Sequence, residues 1–229
     1  MANYGPYHHT GRSGYSLRNS LHLNVLSQNK AIIFDLGGVV LNLDYERTVT
    51  AFKQLGGDQF ERLHKQSHQE KIFDQYETGN ISSAEFRRYL KQFLPAEISD
   101  EALDDAWNAM LLDLPSERIQ LLKTINKTHR IFLLSNTNEI HLSKFRTIIS
   151  DRYEDPFLLE RIFERTYYSH LLGKRKPDKE TFEYVLRQNY LDAESTLFVD
   201  DSAQHIEGAK SVGLNTHHLT SGSIVDIFL

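Results

Sequence analysis

The chain contains no cysteine and only one tryptophan among its 229 residues. Without cysteine there is no disulfide, no thiol nucleophile and no thiolate-ligated metal, and a reducing compartment fits that lack. No apolar run approaches the roughly 20 residues that cross a bilayer, so no membrane partner is expected and a cytoplasmic location is the natural reading. Positive charge is not in excess either. Lys and Arg number 26 against 31 Asp and Glu, a net −5 at pH 7, which leaves no basic footprint for nucleic acid. The length suffices for one large domain, or for a domain carrying an insert, with a sizeable core.

Residues 1–29 hold Tyr, Ser, Asn, Gly and His but no acid. They lack the apolar segment of a signal peptide, apart from a short patch at Leu21–Leu26. They also lack the regular amphipathic arginine spacing of a transit peptide. We expect an extension outside the fold, with the core beginning at residue 30.

Short continuous apolar runs mark strands buried on both faces. Four stand out: Ala31–Phe34, Ile131–Leu134, the weaker Thr166–Tyr168, and Thr196–Val199. A fifth, shorter and more polar, lies near Thr216–Leu219. Helical patterns at Pro115–Ile125, Ile140–Ile149, Asp178–Asn189 and Ala203–Val212 alternate with them. That alternation predicts an α/β fold, a doubly wound and mostly parallel sheet.

Residues 44–113 break the rhythm. They contain helix patterns but no strand-like run, with Ser82 or Ser83 and Ser99 as helix starts and Gly56 as a stop. An insert of roughly 70 residues far exceeds ordinary loop length. Placed directly after the first strand, it would lie over the carboxyl edge of the sheet, where open α/β folds bind ligands. The expected organisation is therefore a core of residues 30–43 and 114–229 under a helical cap of residues 44–113.

The predicted strand ends carry matching polar residues: Asp35 after the first, Ser135-Asn136-Thr137-Asn138 at the second, Lys174-Arg175-Lys176 beyond the third, and Asp200-Asp201 at the fourth. Brought to one edge, they combine a carboxylate nucleophile, hydroxyl and amide donors, a cation and a carboxylate pair suited to a hard metal. Such a set serves phosphoryl transfer, because a carboxylate can attack phosphorus and the equatorial oxygens need neutralising charge. Asp35 and Asp201 would offer Mg²⁺ the one or two carboxylates it prefers.

In order and spacing, "FDLGGV", "LLSNTN", "GKRKPD" and "FVDDSAQHIEGAKSVG" resemble the four motifs of the haloacid dehalogenase-like (HAD) hydrolase superfamily. "DLGGVVLNLD" and "YETGNISSAEF" are similar to its sugar-1-phosphate phosphatases, the α-D-glucose-1-phosphate phosphatase type. The resemblance implies Asp35 as nucleophile, Ser135 as a donor to phosphate with help from the Asn136 backbone N–H, and Lys176 as the neutralising cation. It implies Mg²⁺ held by Asp35, the Gly37 carbonyl and Asp201, with Asp200 farther out. The expected substrate is a small-molecule phosphate ester.

One position departs from the pattern. Phosphatases of this family typically carry a second Asp two residues after the nucleophile as general acid and base, and Gly37 has no proton to give. Such help is worth about 10²–10⁴-fold. Glu77 is the first candidate to supply it from the cap, with Asp74, His64 and His68 behind. Other readings are a leaving group that needs little help, such as an anomeric hydroxyl, and a binding module with negligible turnover. A metal-free dehalogenase also lacks that Asp, but the Asp200-Asp201 pair would repel its attacking carboxylate. Trp107, on a cap helix, is expected to pack in the core rather than to touch substrate.

Overall fold

The computed structural model describes residues 26–57 and 71–228. Five parallel strands form one sheet: β1 (Ala31–Phe34), β2 (Arg130–Ser135), β3 (Arg165–Tyr168), β4 (Thr196–Asp200) and β5 (Asn215–His218). Their spatial order is β3-β2-β1-β4-β5, with Ile33 opposite Phe132 on one side and Phe198 on the other. The period of two along each strand sorts the core into two layers. Ile32, Phe34, Ile131, Leu133, Leu197 and Val199 face one layer, whereas Ala31, Ile33, Phe132, Leu134 and Phe198 face the other. Both faces are covered, which is why β1 reads as an unbroken apolar run. β5 is an edge strand, and its half-exposed Asn-Thr-His-His explains the polar sequence.

Among the described residues, four helices lie between β1 and the core helix α5 (Ser116–Ile125): α1 (Tyr45–Gln54), α2 (Lys71–Glu77), α3 (Ser83–Lys91) and α4 (Asp100–Asn108). Their starts follow local chemistry. Asp44 accepts from the Glu46 N–H, Ser82 and Glu85 form a reciprocal capping box, and Ser99 accepts from the Ala102 N–H. The four share an apolar cluster of their own around Phe52, Phe73, Tyr76, Phe86, Leu103 and Trp107. Phe86 stacks on Tyr76 with centroids 4.1 Å apart and meets Trp107 edge-on at 5.0 Å. Ile140, on the core helix α6 (Glu139–Tyr153), joins the same cluster. We call these four helices the cap.

The base of the cap holds a feature too short to show as a strand pattern. The two crossings run antiparallel: Asn42 N–H donates to Asp113 O at 2.9 Å, Leu112 N–H to Asn42 O at 3.0 Å, and Asp44 N–H to Met110 O at 2.9 Å. Three short helices also lay below the reach of periodicity, namely α7 (Leu158–Ile162), α8 (Ser169–Leu172) and, after α9 (Lys179–Gln188) and α10 (Ala203–Lys210), α11 (Ile224–Phe228). The extension expected over residues 1–29 ends earlier. Leu26 packs against the core, and Asn29 is buried with its side-chain oxygen on Asn215 Nδ2 at 2.9 Å. Residues 1–25, and His64 and His68, lie outside the described residues. Among the described residues, no helix is long and apolar enough to cross a membrane.

Because the cap has its own cluster, Phe86→Ala is expected to remove about 3–5 kcal/mol from the cap. Hydrogen exchange should then rise across residues 71–108 while the sheet amides stay protected. Equal loss of protection in both parts would show that cap and core unfold as one unit.

Candidate active site

The strand order puts the carboxyl ends of β1 and β4 side by side at the place where the chain changes sheet face, the position at which open α/β sheets carry their sites. The Asp35 N–H donates to Val199 O at 2.9 Å, so the backbone ladder continues one residue past β1 and aims Asp35 at the end of β4. Lys176 arrives from the loop after β3 and α8. Its backbone is gripped by the Asn136 side chain, with Lys176 N–H donating to Oδ1 at 2.9 Å and Nδ2 donating to Lys176 O at 2.8 Å. The side-chain amide of Asn136 is therefore spent on positioning Lys176, a role beside the backbone N–H donation to phosphate expected of this residue. The Lys176 ammonium is 0% exposed and donates to Asp35 Oδ1 at 2.5 Å and Asp200 Oδ2 at 2.7 Å.

Asp200 is fully engaged. Besides Lys176, it accepts from the Ser202 N–H at 2.8 Å and from His205 Nδ1 at 3.0 Å. Burial alone would raise its carboxyl, but Lys176 and His205 outweigh that and hold it at about 2. Burial pushes Asp35 up to about 7, against the pull of Lys176 and with the push of Asp200 and Asp201. Burial would likewise lower the Lys176 ammonium, but the two carboxylates raise it.

Oxygens of Asp35, Asp200 and Asp201 lie within 4.8 Å of one another. Three carboxylates against one ammonium leave excess negative charge in a mostly buried place, which a divalent, oxygen-seeking cation such as Mg²⁺ would balance. The donor set thus fits the metal. A cation there would also favour the ionised form of Asp35 that nucleophilic attack requires.

The two glycines after Asp35 have different reasons. Gly38 has φ +74, and a Cβ there would lie 2.2 Å from Asp201 Oδ2, so only glycine lets the loop pass beside that carboxylate. A Cβ on Gly37 would meet Leu43 Cδ1 at 2.5 Å. Leu43 thus occupies the place toward which a second acid would have pointed.

A cavity of about 220 Å³ opens over this edge, lined on the core side by Gly37, Ser135, Asn136 and His141 and on the cap side by Tyr45, Phe73, Asp74, Glu77 and Trp107. Ser135 is buried, and its hydroxyl has only a 3.5 Å contact to Asn136 O, leaving it available to a ligand. Arg175 links core to cap. Its Nη1 pairs with Asp74, and its Nη2 lies 3.0 Å from Glu77 Oε2 without hydrogen-bond alignment. Burial raises the Glu77 carboxyl, and Arg175 only partly offsets this. Trp107 packs in the cap cluster, as expected, and also lines the cavity.

Four residues here were missed from sequence. His205 and His218 brace the acid pair, His218 Nε2 donating to Asp201 O at 3.0 Å. Tyr45 is half-exposed, yet burial and then the carboxylates of Asp201, Asp35, Glu77 and Asp200 push its hydroxyl well above the usual range. His141 is buried, stacked on Trp107 at 5.0 Å, with Nδ1 2.9 Å from Asn108 Oδ1. Only "HIEGAKSVG", one turn after the acids, could have pointed to His205; the other three are set by packing.

The model of the haloacid dehalogenase-like hydrolase family matches residues 29–213. The chain belongs to the haloacid dehalogenase-like hydrolases. It is 31% identical, over 85% of its length and 93% of the relative's, to a D-ribitol-5-phosphate phosphatase of Bacteroides thetaiotaomicron. A sesquiterpene phosphatase of Aspergillus oryzae is 28% identical over 83% of this chain and 90% of that one. The crystal structure of a HAD family enzyme from Bacteroides thetaiotaomicron, in complex with magnesium and inorganic phosphate, superposes with a TM-score of 0.74. Its identity is 34%, over 83% of this chain and 93% of that one. This HAD-like enzyme thus has relatives named as phosphatases and a solved neighbour that holds Mg²⁺, the metal its acid cluster fits.

Two measurements follow from the geometry. Lys176→Met strands two buried carboxylates and is expected to lose about 3–5 kcal/mol of stability in urea unfolding; a loss below about 1 kcal/mol would mean the cluster relaxes into water. Burial holds His141 at about 3, against the ordinary imidazole value of 6.5. Its folded value lies below its unfolded one, so the unfolded chain takes up the extra proton. The stability His141 contributes is complete above pH 6.5 and is lost as pH falls toward 3. Between pH 7 and 5 that loss is about 2 kcal/mol, and His141→Gln should remove it from the pH dependence of the unfolding free energy.

Proposed function

We propose that this enzyme hydrolyses a small, hydroxylated phosphate monoester, a sugar or polyol phosphate, in two steps through an aspartyl-phosphate on Asp35. The observation that carries the reading is the Lys176 bridge between Asp35 and Asp200, whose chain neighbours Leu36, Gly37 and Arg175 line the cavity under the cap. Asp35, Asp201 and the Gly37 carbonyl would hold Mg²⁺, with Asp200 orienting Lys176 behind them. When bound, the metal neutralises phosphoryl oxygens and supplies electrophilic assistance.

With Oδ1 held on Lys176, Asp35 attacks phosphorus through its other oxygen. The ester P–O bond breaks and its electron pair goes to the leaving alkoxide. Ser135 donates to a phosphoryl oxygen, and Lys176 offsets charge on the nucleophile. Glu77, raised by burial and standing across the cavity from Gly37, gives the alkoxide its proton. Glu77 as carboxylate then takes a proton from the water that attacks the acyl phosphate, and phosphate leaves. A cap-borne acid removes the need for an anomeric leaving group, in keeping with a relative named for a 5-phosphate. The cavity volume lies below the roughly 300–1,000 Å³ of drug-sized ligand sites, which favours a small alcohol over a long isoprenoid.

The test is phosphate release from a panel of esters with Mg²⁺ and with EDTA. Turnover should require the metal and vanish in Asp35→Asn. Glu77→Gln should lower kcat on alkyl esters by about 10²–10⁴-fold; with p-nitrophenyl phosphate, whose leaving group needs no proton, it should spare the initial burst of nitrophenol and slow only the steady state. A loss below tenfold on alkyl esters would reject Glu77 as the acid. Tight binding of esters without turnover would favour the binding-module reading.

A further inference from the structure

The cavity wall contains one imidazole acceptor that the chemistry above does not use. Of its polar side chains, Asp74 and Glu77 face Arg175, and the Asn136 amide is committed to the Lys176 backbone. The Thr137 backbone N–H and carbonyl are tied to Ser169 Oγ, each at 2.9 Å, while its hydroxyl can donate as well as accept. His141 is different. Its Nδ1 lies 2.9 Å from Asn108 Oδ1, and an amide oxygen only accepts, so Nδ1 carries the proton and Nε2 keeps its lone pair. The ring is clamped in a parallel stack on Trp107, with an interplanar angle of 5°. Among the described residues Nε2 has no hydrogen-bond partner, and it is not one of the sealed polar atoms; the ring lines the cavity.

We propose that His141 Nε2, fixed in one tautomer by Asn108, is the specificity-determining acceptor for a hydroxyl of the substrate's alcohol portion. A neutral imidazole with a fixed lone pair accepts from an O–H donor and offers nothing to a carbonyl, an anion or a hydrocarbon. The depressed pKa of His141, caused by burial, keeps that lone pair available at neutral pH. Trp107 and Phe73 beside it give the carbon skeleton an apolar wall. The ester taken is therefore one whose carbon chain carries a hydroxyl beyond the phosphate-bearing carbon. A site that leaves such an acceptor unpaired discriminates strongly against the deoxy analogue.

This inference rests on the phosphatase reading, and the experiment separates the two. Steady-state kinetics of the full chain with Mg²⁺ would compare D-ribitol 5-phosphate with n-pentyl phosphate, which has the same carbon count and no hydroxyl. Wild type should prefer the polyol ester. His141→Phe should cut that preference roughly ten- to hundredfold, through a rise in KM on the polyol ester much larger than any change on n-pentyl phosphate. Asn108→Ala leaves the ring and releases its tautomer; it should also cut the preference, and it serves if His141→Phe disturbs the cap. In ¹⁵N spectra of Asp35→Asn, the Nε2 resonance should move on addition of the polyol ester and stay still with n-pentyl phosphate. Turnover of both esters with a preference unchanged in both variants, or an Nε2 signal indifferent to the polyol, overturns the role of His141. No turnover of any ester by wild type overturns the phosphatase reading and this inference with it.

Discussion

A buried ammonium between two carboxylates is the interaction on which this molecule is organised. Lys176 at 0% exposure cannot stand alone, because an unpaired charge in that environment is too costly to keep. Its two partners come from β1 and β4, and its own backbone is held by Asn136 at the end of β2. The cluster forms only when three parallel strands are paired in the right order. Fold and site are therefore one cooperative arrangement: sheet pairing delivers the charges, and the charges are tolerable only with the sheet in place.

The cap follows from the same constraint. Excess negative charge among Asp35, Asp200 and Asp201 attracts a cation, which in turn would draw a phosphate, and that chemistry works best where water is excluded. The cap helices provide the roof. They pack around their own aromatic cluster, which Ile140 and the His141 ring join from the core, and polar bridges add to that contact: Arg175 to Asp74 and Glu77, Ser83 to Glu139, and His141 to Asn108. Two antiparallel crossings at residues 42–44 and 110–113 tie it down. A body held by a narrow base and separable ion pairs is suited to opening and closing, with Gly37 and Leu43 at the root of that base.

Much of this was legible in the chain. β1, β2 and β4 are buried on both faces, so continuous apolar runs announced them, and each ends on the residue type that the site uses. The cap helices declared themselves through Ser82, Ser99 and their apolar spacing. The α7, α8 and α11 helices did not, because four or five residues hold barely one turn and carry no period. Residues 26–29 looked like more of the polar leader, since nothing local says that Asn29 will find Asn215, 186 positions away.

By itself the sequence determined the parallel α/β sheet, the insert, and the acids and lysine at the strand ends, because strand periodicity and strand-end chemistry are local properties. Tertiary structure decided what those residues do to one another. Asn136 became a clamp for Lys176, Leu43 took the space beside Gly37, and Arg175 came within 3.0 Å of Glu77. His141 was turned into a neutral acceptor only by burial against Trp107 and a bond to Asn108, 33 positions earlier. A side chain's charge state and free lone pairs depend on its neighbours in space, and those are chosen by packing between distant segments, not by the residues beside it in the chain.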